Sequence, residues 1–230
     1  MPNTPTSCWQ LADKETSAAK KRRIIVGITG ATGVIYGIRM LERLRVSRCA
    51  ETHLVVSRGG HLTRAYETDV SASDLIALAD HHHKFNDLTA PIASGSFICH
   101  GMVVAPCSIK TLSEIAYCNS SSLLTRAADV MLKERKPLVL MVRETPLHAG
   151  HLECMLRATQ NGAIIAPPVT SFYNRPQSID DLVDHTVARV LDLLDIHVDV
   201  PRWKSEAMEL IETVHSPDFR NGTQNITKDK

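Results

Sequence analysis

The chain has 230 residues, of which 43% are apolar and 22% charged, and its formal net charge is +1. This near balance excludes a global field that would attract nucleic acid or an anionic membrane, so any anion site must be local. No apolar run approaches the roughly 20 residues of a membrane-spanning helix, and the six cysteines form no C-x-x-C pair, which favours reduced thiols in a reducing compartment over a zinc ribbon.

Residues 1–22 are polar and are predicted to be a disordered arm that ends in the basic run Lys20–Arg23. Asp13 and Glu15 weaken a mitochondrial interpretation of this arm, because transit peptides are poor in acidic residues. A cytoplasmic location is favoured, and a mitochondrial one stays open. The tail 204–230 is also polar and is predicted to be partly disordered.

Strands and helices are predicted to alternate between these two segments. A β-branched run at 24–29 ends at glycines, as expected of a strand buried on both faces, and apolar residues at helical spacing follow from Ile35. Further strands are predicted at 52–57, 101–106, 137–142 and 163–166, with helices at 108–117, 123–134, 148–160 and 178–194. This alternation predicts one α/β domain over 23–203, a doubly wound parallel sheet of flavodoxin-like or Rossmann-like type.

The tract His81–His83 is predicted to be a solvated polar loop. Adjacent histidines on a loop point apart, and a bare histidine tract seldom proves functional, so this interpretation outweighs a metal site.

Ligands of open α/β sheets bind beyond the carboxyl ends of the strands, so the residues after each strand are the candidates for a site. Gly27, Gly30 and Gly33 follow the first strand, where they allow close approach to a phosphate at a helix N-terminus, although their spacing is not G-x-G-x-x-G. Ser57 follows the second strand, where a dinucleotide fold would place an acid that holds the ribose. FMN is therefore favoured over NAD.

Two later loops carry reactive side chains. Cys107 precedes Ser108, which can cap a helix; a buried, unreactive thiol is the better interpretation of Cys107 because no histidine lies nearby in the motif. Arg143 suits a phosphate, and Glu144 beside it suits acid–base catalysis. An ordinary structural ion pair between Arg143 and Glu144 is an equally good interpretation of these two residues.

Several segments between residue 23 and Trp203 together resemble the UbiX/Pad-type flavin prenyltransferases. They are Gly27–Gly37, Tyr66–Asp69, Ala93–Phe97, Pro106–Ser108, Arg126–Val130 with Leu132–Arg135, Arg143–Leu147, and Phe172–Tyr173 through Arg175–Pro176. The resemblance implies a dodecamer with sites at subunit interfaces. It also implies that dimethylallyl monophosphate and reduced FMN are the substrates, and that prenylated FMN is the product, which serves a UbiD-type decarboxylase.

The same resemblance implies roles for particular residues. FMN would contact Gly30, Ala31, Thr32, Ser57, Ser108, Ile109, Lys110, Thr111 and Arg143. The prenyl phosphate would meet Tyr173 and Arg189, with charge added by Lys133 and Arg126. Glu144 and Glu67 would be acid–base residues, and Thr32 would keep a hydroxyl relay. No metal is expected, because these cations can balance a monophosphate and no aspartate-rich motif is present.

Three departures from the family pattern and three alternatives remain. Thr32 replaces a common serine, Ser57–Gly60 differs from the commoner Ser-Lys-Ala-Ala type, and Leu88 replaces a tryptophan found in some members. One alternative is a direct decarboxylase of aromatic or acrylic acids, a label that this family has carried. The others are a phosphopantothenoylcysteine-type decarboxylase, whose asparagine and histidine are missing here, and a flavodoxin-like electron carrier, which would be more acidic and more aromatic.

Overall fold

The structure, a computed structural model, describes residues 21–173 and 175–198. The predicted tail, the predicted domain end at 203 and residues 1–20 of the predicted arm lie outside the described residues. Among the described residues, no helix combines the length and the apolar character that crossing a bilayer requires.

Six parallel strands form a sheet in the order β3-β2-β1-β4-β5-β6. Their bounds are β1 (Arg22–Ile28), β2 (Ala50–Val56), β3 (His81–His83), β4 (Gly101–Cys107), β5 (Leu138–Val142) and β6 (Ile164–Ile165). Strands β4 and β5 are buried at every residue, which is why they are almost continuously apolar in sequence. Without the three-residue edge strand β3, the order is that of flavodoxin-like sheets, so the predicted fold class is confirmed.

Helices cover both faces of this sheet. Those that contribute to the core of one face are α1 (Val34–Ser47), α3 (Ala72–Ala77) and α7 (Ile179–Asp192). Those on the other face are α4 (Ile109–Ala116), α5 (Leu123–Lys133) and α6 (Ala149–Gln160). Helix α2 (Arg58–Glu67) lies against α1 at the carboxyl edge of the sheet.

Residues 58–100 differ most from the sequence-based prediction. The tract His81–His83 is not a loop: it forms β3 and pairs with β2, with His81 opposite His53. Helices α2 and α3 and a short 3-10 helix, Pro91–Ala93, were not predicted. Helix α2 buries only Gly60 and α3 only Leu75, so neither has the apolar spacing by which a helix is recognised.

The neighbouring strands β1 and β4 set the position of the site. The chain leaves β1 towards the face covered by α1, and it leaves β4 towards the face covered by α4. The loops after these strands therefore diverge and leave a crevice at the carboxyl edge, the place where flavodoxin-like folds bind their ligands.

Candidate active site at the carboxyl edge of the sheet

The loops after β1 and β4 are joined through Thr29, which is 1% exposed. Its hydroxyl donates to the Pro106 carbonyl at 2.7 Å and accepts from the Ser108 amide at 2.8 Å. Thr29 was not identified as a site residue from the sequence; the available signal was a polar residue directly after a strand whose second half is buried. This threonine fixes one loop of the crevice to the other.

Close backbone approach explains the glycines after β1 and β2. A Cβ atom on Gly30 would lie 2.9 Å from the Gly59 Cα, and one on Gly60 would lie 2.7 Å from the Ile28 carbonyl oxygen. The Ser57 hydroxyl accepts from the Gly60 amide at 3.0 Å and caps α2. Gly59 and Gly60, which stand where the family more commonly has alanines, therefore allow the loops after β1 and β2 to come into close contact.

The loop after β4 begins α4 with a serine cap. The Ser108 hydroxyl accepts from the Thr111 amide at 3.4 Å. The side chain of Lys110 is 80% exposed, and its Nζ atom lies 3.9 Å from the Oε1 atom of Glu114. Within this chain Lys110 is therefore a solvated cation. Cys107 is fully buried, and burial raises the pKa of its thiol, in agreement with the unreactive cysteine expected from the sequence.

Glu67 occupies the N-terminus of α1. Its carboxylate accepts from the Gly33 amide at 2.8 Å and from the Val34 amide at 3.0 Å. Gly33 has a φ of 95° and no side chain with which to cap the helix, so the carboxylate from the end of α2 supplies the missing acceptor. This contact is a helix cap, a role that sequence analysis did not assign to Glu67.

Arg143 and Glu144 follow β5 and line a cleft beside the β1 loop. The Arg143 Nε atom donates to the Thr32 carbonyl at 3.2 Å. Glu144 is exposed, and its Oε1 atom accepts from the Thr145 amide at 3.0 Å. The cleft has a volume of about 340 Å³ and is lined by Thr32, Val142, Arg143, Glu144, Thr145, Pro167, Pro168 and Val169. Three of the predicted site residues, Thr32, Arg143 and Glu144, thus meet in one cleft.

Tyr173 and Arg189 are associated with α7. The Tyr173 hydroxyl lies 2.8 Å from the Nε2 atom of His185. Arg189 follows His185 by four residues, which places both on one face of the helix. His185 was not identified from the sequence, because its link to Tyr173 depends on how the segment after β6 folds back onto α7.

Arg126 and Lys133 lie on α5, on the other face of the sheet from α7. Arg126 donates to the Ala93 carbonyl at 3.1 Å and pairs with Asp129 at 2.7 Å. Lys133 pairs with Glu134 beside Gly95. The four predicted phosphate ligands therefore form two groups, each on its own layer of helices.

Comparison with known proteins gives concordant matches. The family model described as Flavoprotein matches residues 12–191. The flavin prenyltransferase UbiX of Thauera aromatica is 54% identical over 194 residues, which are 83% of this chain and 99% of that protein.

Two solved structures have the same fold. A crystal structure of AnUbiX (PadA1) in complex with FMN and dimethylallyl pyrophosphate has a TM-score of 0.77 and 49% identity, and the match covers 80% of this chain and 100% of that one. The dodecameric FMN-dependent UbiX-like decarboxylase from Escherichia coli O157:H7 has a TM-score of 0.78 and 47% identity, over 79% of this chain and 99% of that one. The chain therefore belongs to the UbiX family of flavin prenyltransferases.

Proposed function

We propose that this protein joins the dimethylallyl group of dimethylallyl monophosphate to N5 and C6 of reduced FMN and releases prenylated FMN. The observation that carries the proposal is the cleft in which Thr32, Arg143 and Glu144 meet at the carboxyl edge of the sheet. Its support is the 49% identity to a protein whose structure contains both FMN and dimethylallyl pyrophosphate.

The flavin would lie across the crevice between the β1 and β4 loops. Helix N-termini capped by Ser57 and Ser108 present amide groups that suit a phosphate, and Gly30 leaves room for close approach. The proposed contacts are Gly30, Ala31, Thr32, Ser57, Ser108, Ile109, Lys110, Thr111 and Arg143.

The prenyl phosphate would be bound by residues from more than one subunit. Tyr173 and Arg189 belong to the α7 layer, whereas Arg126 and Lys133 belong to the α5 layer across the sheet. A second copy can bring its α5 towards the first copy's α7, and a relative at 47% identity is a dodecamer. We therefore propose a dodecamer in which each donor phosphate is held at a contact between copies.

Prenyl transfer requires charge balance and proton movement. As N5 bonds to the allylic carbon, the carbon–oxygen bond breaks and its electron pair leaves with the phosphate, where Arg and Lys side chains stabilise it, and the proton of N5 passes to the phosphate or to a carboxylate. Ring closure adds a proton to the alkene and removes one from C6. Glu144, exposed in the cleft, is the proposed acid–base group, with Glu67 and the Thr32 hydroxyl as further candidates. No metal is assigned to these steps.

The product would pass to a UbiD-type decarboxylase. We also propose a cytoplasmic location, or a mitochondrial one if residues 1–22 act as a targeting signal. The described cysteines are all free thiols, which agrees with a reducing compartment.

The proposal is tested by measuring leaving-group release. The full chain is incubated anaerobically with reduced FMN and either dimethylallyl monophosphate or the diphosphate. Release of one inorganic phosphate per flavin consumed, faster with the monophosphate, is expected. Pyrophosphate release from the diphosphate alone would contradict the donor assignment but keep the transfer reaction.

The alternative, direct decarboxylation of an aromatic or acrylic acid, is tested separately. The purified protein is supplied with FMN and a cinnamic acid, and CO₂ is measured. We expect release only after the prenylated flavin has been given to a UbiD-type decarboxylase. Release by this chain alone would favour the decarboxylase.

A further inference from the structure

A group of histidines and one glutamate lies at the edge of the sheet, on strands β2 and β3. We call Glu51, His53 and His81 the His–Glu cluster. The His53 Nε2 atom lies 3.1 Å from the Glu51 Oε1 atom, and the His81 Nε2 atom lies 3.5 Å from the same oxygen. One ligand atom from each of the three residues lies within 4.8 Å of the other two.

Strand geometry brings these side chains to one face. Glu51 and His53 are two residues apart on β2, and His81 is the register partner of His53 on β3. The rings of His53 and His81 stack with centroids 4.8 Å apart. His82 is the next residue along β3, and it points to the opposite face because side chains alternate along a strand.

The cluster is graded from buried to exposed. His53 is buried, Glu51 is half-buried and His81 is exposed. Burial lowers the pKa of His53 to about 4, an effect to which the charges of His81 and His83 add and which a hydrogen bond with Glu51 opposes. Burial alone raises the pKa of Glu51, but the His53 hydrogen bond and the Arg23 charge lower it overall. The cluster thus sets two imidazole rings beside one carboxylate, with the His81 ring open to solvent.

We propose that the His–Glu cluster binds a divalent first-row transition metal ion, for which Zn²⁺ is the probe, and that the ion fastens strand β3 to β2. Two imidazoles and a carboxylate are ligands that Zn²⁺ accepts, with water completing the coordination. Zinc–ligand bonds of about 2.0–2.1 Å put tetrahedral ligand atoms roughly 3.3–3.4 Å apart. The two separations to the Glu51 oxygen, 3.1 and 3.5 Å, bracket that distance. The ligand nitrogens of His53 and His81 lie within 4.8 Å of one another, so the exposed ring of His81 would have to move towards His53 to bind the ion.

His83 contacts the ring nitrogen of His53 that faces away from Glu51. Its Nε2 atom lies 3.0 Å from the Nδ1 atom of His53. A histidine that binds metal through Nε2 carries its proton on Nδ1 and donates it to a nearby acceptor. His83 can be that acceptor, which fixes the ring of His53 with Nε2 towards the metal.

The guanidinium of Arg23 competes with the metal ion for the carboxylate of Glu51. The Arg23 Nε atom donates to the Glu51 Oε1 atom at 3.2 Å, so Zn²⁺ must share the carboxylate with a guanidinium. A carboxylate has two oxygens and can do so, at a cost in affinity. The cluster lies near the amino end of β2, whereas Ser57 and the proposed flavin site follow its carboxyl end. The ion would therefore stabilise the fold and take no part in prenyl transfer.

The test is a zinc titration of the full chain without a polyhistidine tag. His81→Ala removes a ligand, and His82→Ala, its neighbour on the opposite face of β3, is the matched control. By calorimetry, His81→Ala should weaken zinc binding roughly 10-fold or more, with the control within about twofold of wild type. Arg23→Gln should tighten binding, because it removes the competing cation.

A second imidazole pair must be kept out of the measurement. The rings of His148 and His151 lie close together at the start of α6, with centroids 3.6 Å apart and planes tilted by 33°, so each titration is repeated in a His151→Ala background. Zn²⁺ should raise the thermal unfolding midpoint of wild type and the His82→Ala variant but not that of His81→Ala. Equal zinc affinity in the two variants, or no zinc-dependent stabilisation of wild type, would overturn the proposal.

Discussion

Glu67 and Glu144 lie at the same edge of the sheet, and their hydrogen bonds distinguish their roles. Glu67 accepts two backbone amides at the start of α1, whereas Glu144 is exposed in the cleft and accepts only the amide of Thr145 among the described residues. A carboxylate already satisfied by a helix N-terminus is poorly placed to exchange protons. The residue contacts therefore favour Glu144 as the acid–base group and Glu67 as a cap.

Replacement of Glu144 by glutamine tests the first role. Glutamine keeps the size and hydrogen bonding of the side chain but exchanges no proton, so saturated turnover should fall by about 10²–10⁴-fold with FMN affinity little changed. Glu153→Gln, an exposed carboxylate on α6, is the control. Near-normal saturated turnover in Glu144→Gln would leave the phosphate itself as the proton acceptor.

Replacement of Glu67 by alanine tests the second role. The loss of a cap from α1 should lower the free energy of unfolding by about 1 kcal/mol, measured by urea denaturation. Asp69→Ala, an exposed acid two residues later, should cost less. If Glu67→Gln abolishes turnover while stability and flavin affinity stay normal, Glu67 is an acid–base group after all.

At the level of elements, α1 packs on β4 through Gly37. A Cβ atom there would lie 2.4 Å from the Ala105 carbonyl oxygen. Glycine to alanine inside a helix ordinarily stabilises by about 0.5–1 kcal/mol, but overpacking costs about 1–3 kcal/mol. Gly37→Ala should therefore be destabilising, and Gly150→Ala, which meets only the side chain of His148, should be close to neutral. Urea denaturation of both variants decides this, and a stabilised Gly37→Ala would contradict the packing.

Ion pairs hold α1 against α7. The Nη1 atom of Arg39 lies 2.7 Å from the Oδ1 atom of Asp184, and the Nε atom of Arg43 donates to the same oxygen at 3.1 Å. Burial alone raises the pKa of Asp184, but the hydrogen bonds from Arg43 and Arg39 and their charges lower it overall. Since the folded pKa lies below the unfolded value of about 3.9, this stabilisation is complete above that pH and is lost as the pH falls through the folded pKa.

The Asp184→Asn variant measures this contribution. With screening by solvent, the variant should be less stable than wild type by about 1 kcal/mol at pH 7. The difference should shrink below about pH 4, where Asp184 of the unfolded chain takes up a proton, and should vanish once the pH has fallen through the lower folded pKa. A difference that is unchanged down to pH 3 in urea titrations would show that the carboxylate charge is not its cause.

At the scale of the whole molecule, the sequence predicted those parts whose pattern is local. Strands β4 and β5 are buried apolar runs and strands β1 and β2 end in such runs. The loops after these strands were recognised because ligands bind beyond strand ends. Strand β3 was missed because it is three histidines, and α2 because it buries one glycine. The hydrogen bond of Thr29 with Pro106 and the contact of His185 with Tyr173 join residues that do not belong to one local sequence pattern. Such tertiary contacts cannot be recognised from local spacing.

Shared sites between copies can be tested by mixing two inactive variants. Lys133→Ala removes a cation from the α5 layer, and Arg189→Ala removes one from the α7 layer. If each site takes Lys133 from one copy and Arg189 from another, random assembly of co-expressed variants places both intact residues together at roughly a quarter of the sites. Activity should return at those sites. Light scattering should show a dodecamer in each case. A monomer of 25.4 kDa, or no regain of activity, would contradict shared sites.

The mass of the flavin product shows whether the chain transfers a dimethylallyl group to FMN. The full chain is incubated anaerobically with reduced FMN and dimethylallyl monophosphate, and the flavin is then weighed by mass spectrometry. We expect a flavin heavier by one C₅H₈ unit, formed by wild type about 10²–10⁴ times faster than by Glu144→Gln. Unchanged FMN in the wild-type reaction, with both substrates bound, would contradict this expectation.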